Sequence, residues 1–311
     1  MRDAAIKAVT ELAKKDKNII LISGDLGFGV LDHYRSEMPN QYFNAGICEQ
    51  NMSSMAAGLA LEGKRVYTYS IGNFPTLRCI EQIRNDICYH NANVTIMAVG
   101  GGFAYGSLGM SHHATEDIAI MRSLPNMHVF TPADAIEARA IVYETYKLQK
   151  PCYIRLNKGG EPKIHQSCMK LKKYKLGCAI QLKQGNNVCL MSSGAITIEA
   201  VKAAEVLEEQ GIEAAVYSFP SIKPIDTKLI RECARRYRYI YTIEEHNIVG
   251  GFGSAVSEVI AEEDTKARVV RIGLQDTYSS VVGSQAYLRH IYNMDSQAIV
   301  KRVGELATEK T

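Results

Sequence analysis

Residues 43–60 read FNAGICEQNMSSMAAGLA, and the fold prediction starts from this stretch. It combines a short loop with a predicted helix in which Met52, Met55 and Leu59 recur at helical spacing. This pattern places one carboxylate, that of Glu49, in the first turn of an apolar helix. A carboxylate at this position either caps the helix and interacts with its dipole, or acts chemically in a cleft. These residues alone leave both interpretations open.

Around this helix, helix-like and strand-like segments alternate over the first 160 or so residues. Apolar strands are predicted at 19–23, 65–70, 94–99, 128–131 and 152–156, and helices at 4–14, 76–89, 133–148 and from Thr115. Continuous apolar strands separated by helices predict a parallel sheet that is covered on both faces. Ligands of such sheets lie outside the carboxyl ends of the strands, which here means the loops after Ser23, Ser70 and Val99.

A second alternating region follows a polar connector that contains Lys170, Lys172 and Lys173. Its predicted strands are 188–192, 213–218 and 238–243, and a helix at 195–210 is closed by Gly211. We therefore predict an α/β protein with two three-layer αβα domains and mainly parallel sheets. The predicted domains are 1–160 and 178–311, joined by a linker at 161–177.

The composition indicates an ordinary globular protein. Of the 311 residues, 46% are hydrophobic and 22% are charged, and the formal net charge is +3. This charge is too small to indicate a nucleic-acid or acidic-membrane partner, and no run approaches the roughly 18 apolar residues of a membrane span. The start lacks an apolar leader, and the eight cysteines form no C-x-x-C pair, so we expect free thiols and a cytoplasmic location. Cys48, next to Glu49, leaves a catalytic thiol as an alternative.

Two motifs carry a family resemblance. Gly46–Met52 followed by Ala56–Ala60 resembles the GIxEQNM…AAGLA signature of the pyrimidine-binding domain in transketolases and related thiamine diphosphate enzymes. EEHNIVGGFGSAV, at 244–256, resembles the C-terminal domain shared by transketolase, deoxyxylulose phosphate synthase and the β subunits of 2-oxo acid dehydrogenases. The resemblance covers nearly the whole chain. It implies that Glu49 bonds N1′ of the aminopyrimidine and activates the cofactor.

The same resemblance implies three further site residues. Phe74 is the candidate for stacking on the aminopyrimidine ring, with ordinary core packing as the alternative. Arg78, in the same segment, is assigned to the cofactor-binding set. His112 matches the histidine of the DGPTHQPxE loop that lines the substrate channel in transketolases. Alternatives for it are a solvated histidine pair, or a metal site built from His112, His113 and Glu116.

The chain also departs from the family pattern. Leu108 and Gly100 stand where transketolases have an Asp and a His that recognise the donor substrate. Lys158 is near the position of a phosphate-binding Arg of the family. The resemblance therefore implies that the cofactor-binding residues of the family are kept, whereas the donor is a nonstandard sugar or a 2-oxo acid. The run Gly100–Gly106 does not fit the G-x-G-x-x-G spacing of dinucleotide sites, so we predict a flexible active-site loop there.

The sequence contains no motif for binding the diphosphate half of the cofactor. Gly24–Gly27 resembles only the start of the GDG…N motif that holds Mg²⁺ and diphosphate, and this chain offers no expected set of metal ligands. We therefore predict the carboxyl-terminal subunit of a split transketolase, with thiamine diphosphate bound at an interface and Mg²⁺ ligands supplied by an amino-terminal subunit, in an α2β2 assembly.

The expected reaction is transfer of a two-carbon ketol unit from a ketose to an aldehyde, both small sugar substrates. Two alternatives remain open at this stage. One is a β subunit of a 2-oxo acid dehydrogenase, which needs a lipoyl-domain partner. The other is a degenerate scaffold subunit without turnover.

Overall fold

The computed structural model describes residues 1–165 and 174–308, which build two sheets flanked by helices. Part of the predicted lysine-rich linker, including Lys170, Lys172 and Lys173, lies outside these residues. The predicted α/β class with mainly parallel sheets is confirmed. Within the described ranges, no helix is both long enough and apolar enough for a membrane span.

The first sheet is built mainly from the first 160 residues. Its strands from this part are β1 Ile19–Ser23, β2 Tyr42–Asn44, β3 Arg65–Ile71, β4 Val94–Val99, β5 His128–Phe130 and β6 Cys152–Leu156. The helices are α1 Arg2–Ala13, α2 Asp32–Glu37, α3 Glu49–Leu61, α4 Ile80–Gln82, α5 Asp117–Ser123 and α6 Ala135–Leu148. The strands β1, β4 and β6 are buried along their whole length, as parallel strands covered on both faces must be.

The second sheet is built from strands that follow the predicted linker. Its strands are β7 Ile180–Lys183, β8 Val188–Ser193, β9 Ala214–Ser218, β11 Tyr239–Asn247 and β12 Arg268–Leu274, in the order β12-β11-β8-β9-β7. Its helices are α7 Thr197–Glu209, α8 Thr227–Arg236, α9 Phe252–Ala261, α10 Gln285–Ile291 and α11 Ser296–Thr308. All its pairings are parallel except that of the edge strand β7 with β9.

One short strand joins the two parts of the chain. β10, Ser221–Lys223, lies between β9 and β11 in sequence but pairs antiparallel with β5, so the first sheet has seven strands in the order β10-β5-β6-β4-β3-β1-β2. A shared apolar core continues across this junction, since one buried cluster contains Val129 and Tyr153 of the first part together with Phe219 and Ile222 of the second. The two sheets therefore form one packed body rather than two separate ones.

The segment predicted as one helix from 76 to 89 is irregular. It begins with a 3₁₀ turn at Leu77–Cys79, continues as α4, and ends as a π-helix at Ile83–Cys88. The wide final turn keeps Ile83, Ile87 and Cys88 buried together. Such π segments are uncommon and frequently lie beside functional sites.

The site lies where several parallel strands end. Strands β1, β3 and β4 run parallel, so their carboxyl ends meet at one edge of the first sheet. Helix α3 begins at this edge with Glu49 as its first residue and Cys48 as its N-cap. The fold thus places the predicted acid at the position where open α/β sheets bind their ligands.

Candidate active site

Glu49 is a buried carboxylate with two polar partners. Its side chain is only 2% exposed, Ser70 Oγ donates to Oε1 at 3.3 Å, and Arg78 Nη1 donates to Oε2 at 2.9 Å. The carboxylate also lies against Gly24, where a Cβ atom would come within 3.4 Å of Oε1. Its place in the first turn of α3 lets the helix dipole favour its negative charge. The two interpretations of Glu49 are thus compatible, because a carboxylate that interacts with the helix dipole also lies at the sheet edge.

The four predicted site residues form one cluster. The guanidinium of Arg78 lies 5.0 Å from the centre of the Phe74 ring while it pairs with Glu49. Phe74 in turn meets the imidazole of His112 edge-on, with ring centres 5.2 Å apart. Phe74 is half-buried and Arg78 is about half exposed, so the ring and the guanidinium both reach the surface beside the buried Glu49.

The adjacent histidines face different neighbours. His112 is half-buried and its Nδ1 lies 3.0 Å from Ser111 Oγ, whereas His113 is buried with Nε2 3.2 Å from the carbonyl oxygen of Gly106. Burial lowers the pKa of His112, and the charge of His113 acts in the same direction, so His112 is mainly neutral near pH 7. Among the residues that the structure describes, no group of three or more metal-binding side chains is found.

Three further residues, Tyr105, Lys158 and Arg2, lie near this cluster and are not among the predicted site residues. Tyr105 lies with its ring centre 6.4 Å from that of His112, and Lys158 Nζ lies 5.6 Å from the centre of the Tyr105 ring. Burial raises the pKa of Tyr105, while the positive charge of Arg2 opposes that change. The sequence signals were the predicted active-site loop that contains Tyr105, and for Lys158 the family resemblance, which places it near a phosphate-binding Arg. Arg2, at the start of α1, is too distant in sequence for any local pattern to reveal.

Cys48 does not share the burial of Glu49. It is an exposed free thiol, and its side chain makes no capping bond to α3. The alternative of a catalytic thiol therefore gains no support from the contacts around this residue.

The cluster can hold a planar nitrogen heterocycle. A carboxyl group can share a proton with a ring nitrogen, and an aromatic face beside it can stack on the ring. Lys158 and Arg2 place positive charge near Tyr105, whose ring lies beside His112, and positive charge there favours an anionic group. The arrangement thus combines a buried carboxylate with cationic side chains near Tyr105.

Comparison with known proteins gives consistent matches over the whole chain. The family description "Transketolase, pyrimidine binding domain" matches residues 1–162, and "Transketolase, C-terminal domain" matches residues 177–299. One subunit of the apulose-4-phosphate transketolase of Phocaeicola vulgatus is 34% identical over 301 residues, which cover 96% of this chain and 95% of that protein. The 6-deoxy-6-sulfo-D-fructose transketolase subunit of Clostridium sp. strain MSTE9 is 30% identical and covers 100% of this chain and 95% of its own length.

A solved structure is also similar along its full length. It is described as a split gene transketolase in the form of an inactive beta4 tetramer, and it is 38% identical to this chain. The TM-score is 0.90, with 100% of this chain and 99% of that chain covered. The fold and the sequence matches therefore agree.

Proposed function

This chain belongs to the transketolase family, and on that premise we propose that it is the carboxyl-terminal subunit of a two-subunit thiamine diphosphate-dependent transketolase. Its reaction is transfer of a two-carbon ketol unit from a ketose to an aldehyde. The observation that carries the proposal is the cluster of Glu49, Arg78, Phe74 and His112 at the sheet edge. We also propose the division into a pyrimidine-binding domain, residues 1–160, and a C-terminal domain, residues 178–311, joined by the linker at 161–177.

The residues present fit the aminopyrimidine end of the cofactor. The chemistry of the donor set supports this, because a buried carboxyl group and a half-buried aromatic ring lie together beside one opening. Glu49 would hold the ring nitrogen, Phe74 would stack on the ring, and Arg78 would border both. When bound, thiamine diphosphate supplies the electron sink that the ketol transfer needs.

Glu49 acts in this proposal by holding and exchanging one proton. Oε2 is taken by Arg78, whereas among the described residues Oε1 has only the long 3.3 Å bond from Ser70, so Oε1 is the more available oxygen. Burial excludes water from the carboxyl group and so directs its proton exchange to the bound ring. His112, kept mainly neutral by its lowered pKa, can accept or donate a hydrogen bond to a substrate hydroxyl.

The diphosphate and its Mg²⁺ are assigned to the partner subunit. Support comes from the sequence, which lacks the GDG…N set, and from the solved relative, which is described as an inactive tetramer of β chains. We propose that an amino-terminal subunit supplies the metal ligands and completes the site in an α2β2 assembly. The free cysteines among the described residues support a reducing, cytoplasmic location.

The outer end of the cleft favours a donor with an anionic tail. The two relatives named above act, by their names, on a sugar phosphate and a sulfo sugar. Lys158 is exposed and lies over the Tyr105 ring, and the positive charge of Arg2 also acts on the Tyr105 hydroxyl, so two cationic side chains act on one aromatic side chain. We infer that these cations receive the phosphate or sulfonate end of a ketose.

A donor screen with the mixed subunits tests the reaction. The screen compares ketose phosphates, sulfo-ketoses, unphosphorylated ketoses and pyruvate, each with an aldehyde acceptor and thiamine diphosphate with Mg²⁺. We expect turnover with an anionic ketose and none with pyruvate. Turnover of pyruvate with a lipoyl-domain acceptor would instead identify the β subunit of a 2-oxo acid dehydrogenase, and cofactor binding without turnover would indicate a scaffold.

Replacing Phe74 by Leu tests the stacking role. Leu keeps apolar contact but has no aromatic face, so we expect affinity of the mixed subunits for thiamine diphosphate to fall by about fivefold, which corresponds to about 1 kcal/mol. Calorimetric titration of the cofactor measures this change. Phe74→Tyr is the matched control and should bind with nearly unchanged affinity. Equal affinity of the Leu variant and the wild type would leave Phe74 as a core residue.

A further inference from the structure

The second domain contributes no predicted residue to the cleft, yet one of its buried acids contacts the loop that carries part of the site. We propose that Glu245, on β11, is a positioning residue that holds the 102–114 loop and thereby sets the places of Tyr105 and His112. The inference rests on the proposed function, since these two side chains are taken to face the substrate. It gives the C-terminal domain a role in substrate handling.

The 102–114 loop is closed at its base and attached beside the cofactor cluster. Gly102 and Ala114 exchange two backbone hydrogen bonds, at 2.8 and 3.1 Å. On the other side, Asn73 Nδ2 donates to the carbonyl oxygen of His113 at 2.8 Å. The two ends of the loop are thus bonded to each other, and the position of residues 103–113 depends on further contacts.

Glu245 supplies a charged contact to the start of the loop, as Arg155 does at its end, where Nη2 donates to the carbonyl oxygen of Ala114 at 2.6 Å. Its carboxylate is buried, and Oε1 accepts the backbone N–H of Phe103 at 2.6 Å and Gln285 Nε2 at 2.8 Å. Oε2 accepts from Nε of Arg289, with which Glu245 forms an ion pair. Hydrogen bonds to a buried ionised group are stronger than those between neutral groups. The loop backbone is therefore hydrogen-bonded directly to the Glu245 carboxylate, which Gln285 and Arg289 of α10 hold in place.

The loop also packs into the second domain. Phe103 is fully buried, belongs to the apolar core of that domain, and stacks on Tyr292 with ring centres 5.5 Å apart. A Cβ atom at Gly106 would come within 2.6 Å of the carbonyl oxygen of Gly283, and one at Gly102 would collide with Glu245. These close approaches leave the loop little freedom while Glu245 keeps its place.

The bonding pattern demands a carboxylate rather than an amide. Three donors converge on the two oxygens of Glu245, from Phe103, Gln285 and Arg289. In Glu245→Gln one oxygen becomes an NH₂ group, so at least one of these donors faces another donor. The size of the side chain stays the same, and the loop loses either its own bond or the ion pair that orients it.

The test compares Glu245→Gln with a matched control, Glu199→Gln. Glu199 is a buried acid of the same domain that also lies near Arg289, at 3.7 Å, but its other partners are Lys202 and the backbone of Ser296, not the loop. Both variants are mixed with the amino-terminal subunit. The measurements are amide hydrogen exchange of residues 103–113, KM and kcat with the best donor, and affinity for thiamine diphosphate.

We expect Glu245→Gln to speed amide exchange in residues 103–113 and to raise KM by about tenfold, the effect of losing one charged hydrogen bond. Cofactor affinity should stay unchanged, because Glu49 and Phe74 are not on the loop. Glu199→Gln should alter neither exchange nor KM. A milder variant, Gln285→Met, removes one donor and should change exchange and KM in the same direction by a smaller factor.

Unchanged exchange in both Glu245→Gln and Gln285→Met would overturn the proposal. Equal effects of Glu245→Gln and Glu199→Gln on exchange and KM would also overturn it, because they would indicate general loosening of the domain. Faster exchange in Glu245→Gln, combined with an assembly that turns over no ketose even as wild type, would contradict the proposed function and leave the anchoring of the loop established.

Discussion

Replacing Glu49 by Gln is expected to abolish nearly all turnover of the mixed subunits. Gln matches the size of Glu and can still accept from Arg78, but it cannot exchange a proton with a ring nitrogen. Loss of general acid–base catalysis at a positioned group costs roughly 10²–10⁴-fold in rate, and we expect kcat to fall by at least about 10³-fold. Steady-state kinetics at saturating cofactor measures this loss, and Glu49→Ala should behave similarly.

The fold should survive these substitutions. Arg78 is half exposed, so its guanidinium reaches water when Glu49 no longer pairs with it. The matched control is Glu62→Gln, which removes an exposed carboxylate at the opposite end of the same helix and should leave kcat unchanged. Thermal melting of the three variants separates catalysis from stability. Turnover like that of the wild type in Glu49→Gln or Glu49→Ala would remove the assigned role of Glu49.

The purified chain alone is expected to show no ketol transfer, with full activity restored by the amino-terminal subunit. The reason is that, by our proposal, this chain supplies the pyrimidine end of the cofactor site, whereas the diphosphate with Mg²⁺ needs hard oxygen ligands from the partner. Two apolar side chains just before Glu49 in the sequence are also exposed to solvent: Ile47 is 77% exposed and Phe43 is 45% exposed. A partner that covers them would complete the site.

Titration of the partner into a fixed amount of this chain measures the effect. Activity should rise linearly and level off at an equimolar ratio, and light scattering should then report two copies of each chain. The controls are each subunit alone with thiamine diphosphate and Mg²⁺. Full activity of this chain by itself would refute the split site, and saturation at another ratio would contradict the α2β2 assembly.

The sequence was sufficient to predict the family and most regular elements. Membership of the transketolase family is confirmed, and strands such as 19–23 and 94–99 have the predicted bounds, because apolar runs buried on both faces leave a continuous signal. Prediction failed where tertiary contacts override local pattern. The segment 77–88 is divided between three helix types, and β10 leaves its own region to pair with β5.

The site was partly predictable in the same way. Glu49, Phe74, Arg78 and His112 were named from motifs, and the structure brings them together, while their roles remain predictions. The interactions of Tyr105 with Arg2 and Lys158 could not be anticipated, since these residues are far apart in sequence.

The sequence by itself determined which chemistry the chain carries, because a carboxylate at the start of an apolar helix and a ring after a strand are local features. Only the tertiary structure decided how that chemistry is held. The burial of Glu49 against Ser70, and the bond from Phe103 to Glu245, join residues 21 and 142 positions apart. The first of these contacts depends on how α3 packs on the first sheet and the second on how the two parts of the chain pack together, and no local pattern of residue types encodes that packing.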